Sequence, residues 1–474
     1  MLHARIVETI ESQFAEIANN QPELLARHCT EAGLIEKAAG LWGKAGQRSL
    51  ERSALVEAAE QLTRALAQIK TLPTTPALRR EAIKLQVAFA TVLFHVKGYA
   101  APETIAAFER ADAMIEQSEA LGERPEGEDA LLRFSVLYGQ WTGNHSAGNL
   151  AKALEVAKHF LVVAERQRLS APLLMAHRVM GATLCLSGKF GAARRHLDQA
   201  VALYRPEEHR PLATRFGQDI GVAALGYRAY ALYRLGYPES ALRDAEEALK
   251  SARELSQTGT LAVALLFAST VNFLCGKFGE AEDRAQELFA LSEKYGLTAW
   301  KVHAELWCGW VLAVTERGDE AVKMISSALS GLAATRTTLF AQFSLVLLAR
   351  VHAACGRIAE AQSAISQALD SVNKTNQRWD EAEILRSAGE IARQGPSSDA
   401  PKAETYLDRA LEVARQQQAK SWELRASISL ARLWRAQGRR DEARELLAPI
   451  FGWFTEGFDM PDLIEAKALL EELR

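Results

Sequence analysis

Proline is scarce in this chain, with 13 in 474 residues, and Pro73, Pro76, Pro102, Pro125, Pro206, Pro211, Pro396 and Pro401 are placed where helices should end. Alternating apolar and polar runs between turn residues are absent, which excludes a β-sheet architecture. Cysteine is also sparse. Cys29, Cys185, Cys275, Cys308 and Cys355 are odd in number and form no C-x-x-C pair. That excludes a disulfide framework and a structural zinc, and fits a reducing compartment. An excess of basic charge is missing: the net charge is −3, with the two signs interspersed. Sequence-independent nucleic-acid binding needs a basic face, so no nucleic-acid partner is expected. No apolar run reaches the roughly 18 residues of a membrane span, and the N-terminus lacks the pattern of a signal peptide. The expected location is the cytoplasm, without a membrane partner.

Catalytic constellations are missing too. A phosphate-binding loop needs Gly-Lys followed by Ser or Thr, whereas the Gly-Lys pairs at Gly43, Gly188 and Gly276 run into Ala45, Phe190 and Phe278. There is no H-E-x-x-H, G-x-S-x-G or G-x-G-x-x-G, and the ten histidines are dispersed. No catalytic residue, cofactor or metal ligand is expected, and the chain reads as something other than an enzyme.

What is present is a repeat. Glycine recurs at Gly148, Gly188, Gly236, Gly276, Gly318, Gly356, Gly395 and Gly438, at intervals of 38 to 48 residues. Alanine follows five residues later at Ala153, Ala193, Ala241, Ala281, Ala361 and Ala443, and Ala321 and Ala403 hold that place across altered turns. A second small residue often stands seven further on, as at Ala200, Ala248, Ala328, Ala368 and Ala410. Seven residues return to the same face of a helix, so both small residues admit a close neighbour. Each unit reads as helix A, a glycine turn and helix B, stacked into an all-α, right-handed α-solenoid of about ten hairpins.

The ends differ from this array. Residues 1–75 form an N-terminal helical segment, opened by Leu2, Ile6, Ile10 and Phe14 on one helical face. A helix at residue 2 without a capping sequence points to an element that begins upstream. The superhelix is expected over 76–451, with loops near Gly122–Gly127 and Trp141–Gly148 ahead of the regular units. Residues 452–474 read as an N-capped closing helix over the solenoid end.

Small residues fixed around a turn glycine resemble tetratricopeptide-like helical hairpins. Several stretches are similar, more specifically, to a bacterial multidomain family: Pro22 to Gly33, Ala45 to Ser49, Ala58 to Leu62, Gly217 to Ala223, Leu235 to Pro238, Arg378 to Ile384 with Gly389-Glu390, and Gly452 to Asp459. In that family a class III nucleotide cyclase domain precedes an AAA-like signalling ATPase and then a tetratricopeptide-rich arm. The resemblance implies the arm alone, with residues 1–75 joining the ATPase module. The cyclase and ATPase chemistry has no counterpart here, so the arm is either encoded separately or part of a longer product.

In tetratricopeptide units the concave groove is lined by helix A positions at set distances before the turn glycine. These map to Arg178, Tyr230, Tyr233, Arg350, Arg425, Arg432 and Arg435. Guanidinium groups bind carboxylate or phosphate bidentately, and phenols offer contact area with a polar tip. Trp379, Glu383, Arg386 and Glu390 form another stripe, and Trp422 repeats the place of Trp379 in its own unit, as Phe340 does. His303, Trp307, Trp310 and Val314 repeat the pattern again. Aromatics at this spacing read as packing between helices. Two functions stay open: a protein-interaction and regulatory arm of a nucleotide-dependent signalling system, its partner a signalling ATPase or cyclase module or a second copy of itself, or a superhelix that senses a small molecule in its groove, as similar arms of sugar-responsive activators do. An exposed peptide-width groove favours the first, and an enclosed pocket with converging polar groups the second.

Overall fold

The computed structural model describes residues 2–52, 54–123, 130–167, 169–315, 317–394 and 399–474. Among these the chain is helical and carries no strand. Helices begin where proline fixes φ: Pro22, Pro76, Pro102, Pro206, Pro238 and Pro461 each open a helix. The expectation that prolines mark helix ends is corrected in this respect, because a first-turn residue needs no N–H partner and the ring is tolerated there. Pro125 and Pro396 lie outside the described residues.

Two compact units divide the chain. One comprises Met1–Gly143 with Leu212–Gly217 and Tyr295–Ala299; the other comprises Asn144–Pro211, Gln218–Lys294 and Trp300–Arg474. The division falls inside the helix Ala130–Ser146, so Trp141 to Ser146 is helical and not a loop, and residue 75 lies within the first unit. Of the expected Gly122–Gly127 loop, residues 124–127 lie outside the described residues. The first unit packs Val7, Leu25, Cys29, Trp42 and Leu62 into one core. Its opening helix, Leu2–Gln13, buries Val7 and half-buries Ile10, whereas Leu2 and Phe14 are exposed. The predicted stripe is thus corrected: the helix stops at Gln13 and rotates Val7 inward.

In the second unit, hairpins run from Ser170–Leu186 with Phe190–Leu203 to Lys420–Ala436 with Arg440–Phe451. Turn glycines 148, 188, 236, 276, 356 and 438 have φ between 72° and 93°, a region that penalises any Cβ. Gly318 is instead the first residue of the helix Gly318–Ala334, and Gly395 lies outside the described residues. Ala193, Ala241, Ala281, Ala361 and their partners seven residues on are fully buried. Contact across the hairpin is close: a Cβ on Gly181 would sit 2.5 Å from Leu197 Cγ, and one on Gly389 2.8 Å from Leu407 Cγ. The closing helix, Pro461–Glu472, starts at Met460 without the expected side-chain cap.

Successive turns of this solenoid touch. The last carbonyls of a helix have no partner within it. Here those of Ser146 and Leu186 accept from the backbone N–H groups of Thr338 and Arg378, each at 2.8 Å. The Tyr233 carbonyl accepts from Ser421 Oγ, 188 residues later, at 2.5 Å. Leu274 accepts from Arg425 Nη2 at 3.1 Å. Helix A ends therefore rest on helix A starts one superhelical turn on, and part of the inner face is closed by these contacts.

Candidate functional site

Closure sorts the groove residues into two groups. The first group is packed solid. Tyr230 is buried, its hydroxyl donating to Thr270 Oγ1 at 2.9 Å, and Trp307 Nε1 donates to the same oxygen at 2.7 Å. Phe340 and Trp379 pack beside Tyr230, with ring centroids 6.2 and 5.9 Å from it. Trp310 Nε1 donates to Ser344 Oγ at 3.0 Å, and Trp422 Nε1 donates to the Trp379 carbonyl at 3.1 Å. His303 joins the cluster, with its ring 5.9 Å from Trp307. Arg178 is buried over the Tyr227 ring at 5.3 Å. These residues fill the interior and leave no groove for a ligand.

At the centre of that cluster Arg234 Nη2 and Asp380 Oδ1 meet at 2.7 Å, both residues almost wholly buried. Arg234 also donates to the carbonyls of Trp379 at 3.3 Å and Tyr230 at 3.2 Å. The rings of Trp379 and Trp422 lie 4.8 and 5.7 Å from its guanidinium carbon. Burial pushes the Asp380 pKa up against the pull of Arg234. Neither residue was among the sequence candidates. The available signal was position: Arg234 stands two residues before Gly236, a groove position of the repeat, and Asp380 follows the repeat aromatic Trp379.

The second group faces a cavity of ≈ 510 Å³ walled by helix A of several hairpins and by the C-terminal segment. Tyr233, Arg350, Arg386, Glu390, Arg425 and Arg432 all line it, so the repeat spacing does bring arginines of separate units together. Arg435 does not line it; that residue is partly exposed and pairs with Glu472. Phe273, Phe343 and Leu424 add apolar wall.

Three of the four lining arginines are neutralised. Arg386 holds Glu383 bidentately at 2.7 and 2.8 Å and donates to Ser429 Oγ at 3.1 Å. Arg425 pairs with Asp462 at 2.7 Å and Arg432 with Glu465 at 2.8 Å. Burial would raise the Glu383 pKa, but Arg386, Arg425 and Arg350 outweigh it and hold the carboxyl at about 2. Glu390 lies 3.8 Å from Arg393. Arg350 has no carboxylate within ion-pair distance. It reaches solvent inside the cavity, yet the surrounding protein desolvates it, and with Arg386 and Arg425 nearby this lowers its pKa. Two buried hydroxyls on the same wall, of Tyr233 and Ser387, have no hydrogen-bond partner.

No protein-family profile matches the chain. A solved structure of a Rap protein complexed with competence and sporulation factor is similar over 81% of this chain and 99% of its own, with a TM-score of 0.55 and 14% identity. The fold is a tetratricopeptide-like α-solenoid. A tetratricopeptide repeat protein of Parabacteroides merdae is similar over 60% of the chain and 97% of its own, at 16% identity and a TM-score of 0.35. An uncharacterised protein of Rhizobium meliloti (strain 1021) is 23% identical over 445 residues, 93% of this chain and 42% of that protein. The chain thus spans less than half the length of this relative. Among the described residues no helix is long and apolar enough to cross a membrane, and no group of three or more His, Cys, Asp or Glu is placed to hold a metal ion.

Proposed function

We propose that the chain is a non-catalytic sensor arm whose signal is a ligand held in the cavity, and that it regulates a nucleotide-dependent signalling module. The observation that carries the sensor reading is the cavity itself: its volume falls within the roughly 300–1,000 Å³ of ligand sites, and arginines of separate hairpins converge on it. Between the two functions left open by the sequence, a half-open cavity onto which arginines of separate hairpins converge supports ligand sensing. The signalling context rests on the resemblance to the arm of the cyclase and ATPase family. A relative more than twice the length of the matched region leaves room for such domains. That a Rap protein of similar fold is complexed with a competence and sporulation factor adds an instance of this fold carrying a bound factor.

Two measurements test this. A compound library screened by thermal shift should yield ligands that stabilise the wild type but not Ala354→Trp, a substitution at the cavity wall. Ligands indifferent to that plug would move the site elsewhere. Purified protein should also neither hydrolyse ATP nor form a cyclic nucleotide, and turnover that tracks with the protein through purification would overturn the non-catalytic reading.

A further inference from the structure

One arginine of the cavity makes no ion pair, and that points to a ligand class. Arg386, Arg425 and Arg432 each have a carboxylate partner within 2.8 Å, whereas Arg350 has none. Arg350 is exposed to the cavity in the field of Glu383 and Glu390 but makes an ion pair with neither, so its fork of donors is open to a ligand. The Tyr233 hydroxyl and Ser387 Oγ are buried without partners, although buried polar atoms are nearly always bonded. Tyr233 and Ser387 line the cavity with these two oxygens covered, and Phe273, Phe343 and Leu424 line it too.

Resting on the sensor reading above, we propose that the cavity takes an organic anion: a carboxylate or phosphate held by Arg350, and an apolar body against Phe273, Phe343 and Leu424. An anion supplies the missing charge and accepts from the guanidinium in the fork geometry that carboxylates and phosphates share. A neutral ligand would leave Arg350 unpaired. Binding removes water from Arg350 and orders helix A of several hairpins around one group, which links occupancy to the curvature of the solenoid.

Phenyl phosphate, N-acetylphenylalanine and its uncharged amide serve as probes, with thermal shift and calorimetric titration as readouts. The two anions should stabilise the wild type saturably and the amide should not. Arg350→Gln should weaken both anions by about tenfold or more, with helical circular dichroism unchanged. A tetrapeptide ending in phenylalanine that shows the same Arg350 dependence and binds more tightly would identify a chain terminus as the source of the anion. Equal or weaker binding would identify a free small molecule, and either result upholds the anion site. Saturable binding that survives Arg350→Gln but is lost in Ala354→Trp would overturn the anion assignment and leave the cavity reading standing. Binding unaffected by both substitutions, or no saturable binding of either anion to the wild type, would overturn the assignment as well.

Discussion

Arg234 and Arg350 both stand on helix A and face the interior of the solenoid, yet their surroundings are opposite. Arg234 has a carboxylate at 2.7 Å, two carbonyl acceptors and flanking indole rings, and no space around it. Arg350 has a cavity in front of it and makes no ion pair, with Glu383 and Glu390 acting on it only from a distance. One arginine completes the protein's own packing. The other stays exposed, open to the proposed anion. The difference teaches that one inner surface can serve both as a core and as a receptor, according to whether the next superhelical turn brings a carboxylate to the guanidinium.

Breaking the filled region should have the largest effect. Asp380→Ala strands the Arg234 charge in the interior and should cost about 3–5 kcal/mol, read by chemical denaturation. An unchanged midpoint would show that the pair is not buried as described. Behind the cavity, the arginines around the Glu383 carboxyl hold its pKa at about 2 against an ordinary 4.5. A depressed acid stabilises the fold above its unfolded pKa, and that contribution, about 3 kcal/mol, should be lost as pH falls from about 4.5 towards 2. Denaturation midpoints across that range check it, and a flat profile would contradict it. A smaller loss, about 1–3 kcal/mol, is expected for Ala281→Leu, because Ala281 is fully buried at the hairpin contact where its carbonyl accepts from Ser269 Oγ at 2.9 Å. A mutant as stable as the wild type would place that contact elsewhere. Arg350→Gln should have the smallest effect, within about 0.5 kcal/mol, since no intramolecular partner is lost. A large destabilisation would reveal a partner and collapse the contrast with Arg234.

The hairpins were legible because their chemistry is local: a left-handed turn residue, a small residue five later and another seven beyond report helix contacts within one unit. Gly188, Ala193 and Ala200 show this directly. The interior was legible only in part. Arg425 and Arg432 share a face by spacing alone, and Arg350 holds the place of Arg432 in its own unit, so their convergence on one space followed from the repeat. That Tyr230 would be packed solid while Tyr233, three residues later, faces a cavity depends on the superhelical pitch. Contacts such as Ser421 Oγ to the Tyr233 carbonyl, 188 residues apart, set that pitch, and no local periodicity encodes it.

The central claim is that the interior holds one satisfied and one waiting arginine. Side-chain Nε–H resonances of Arg234 and Arg350, assigned by the Gln substitution of each, can be followed in one titration of the wild type with phenyl phosphate. The account predicts that the Arg350 resonance shifts saturably while that of Arg234 stays fixed. An Arg350 resonance that does not respond, or two resonances that move together, would contradict it.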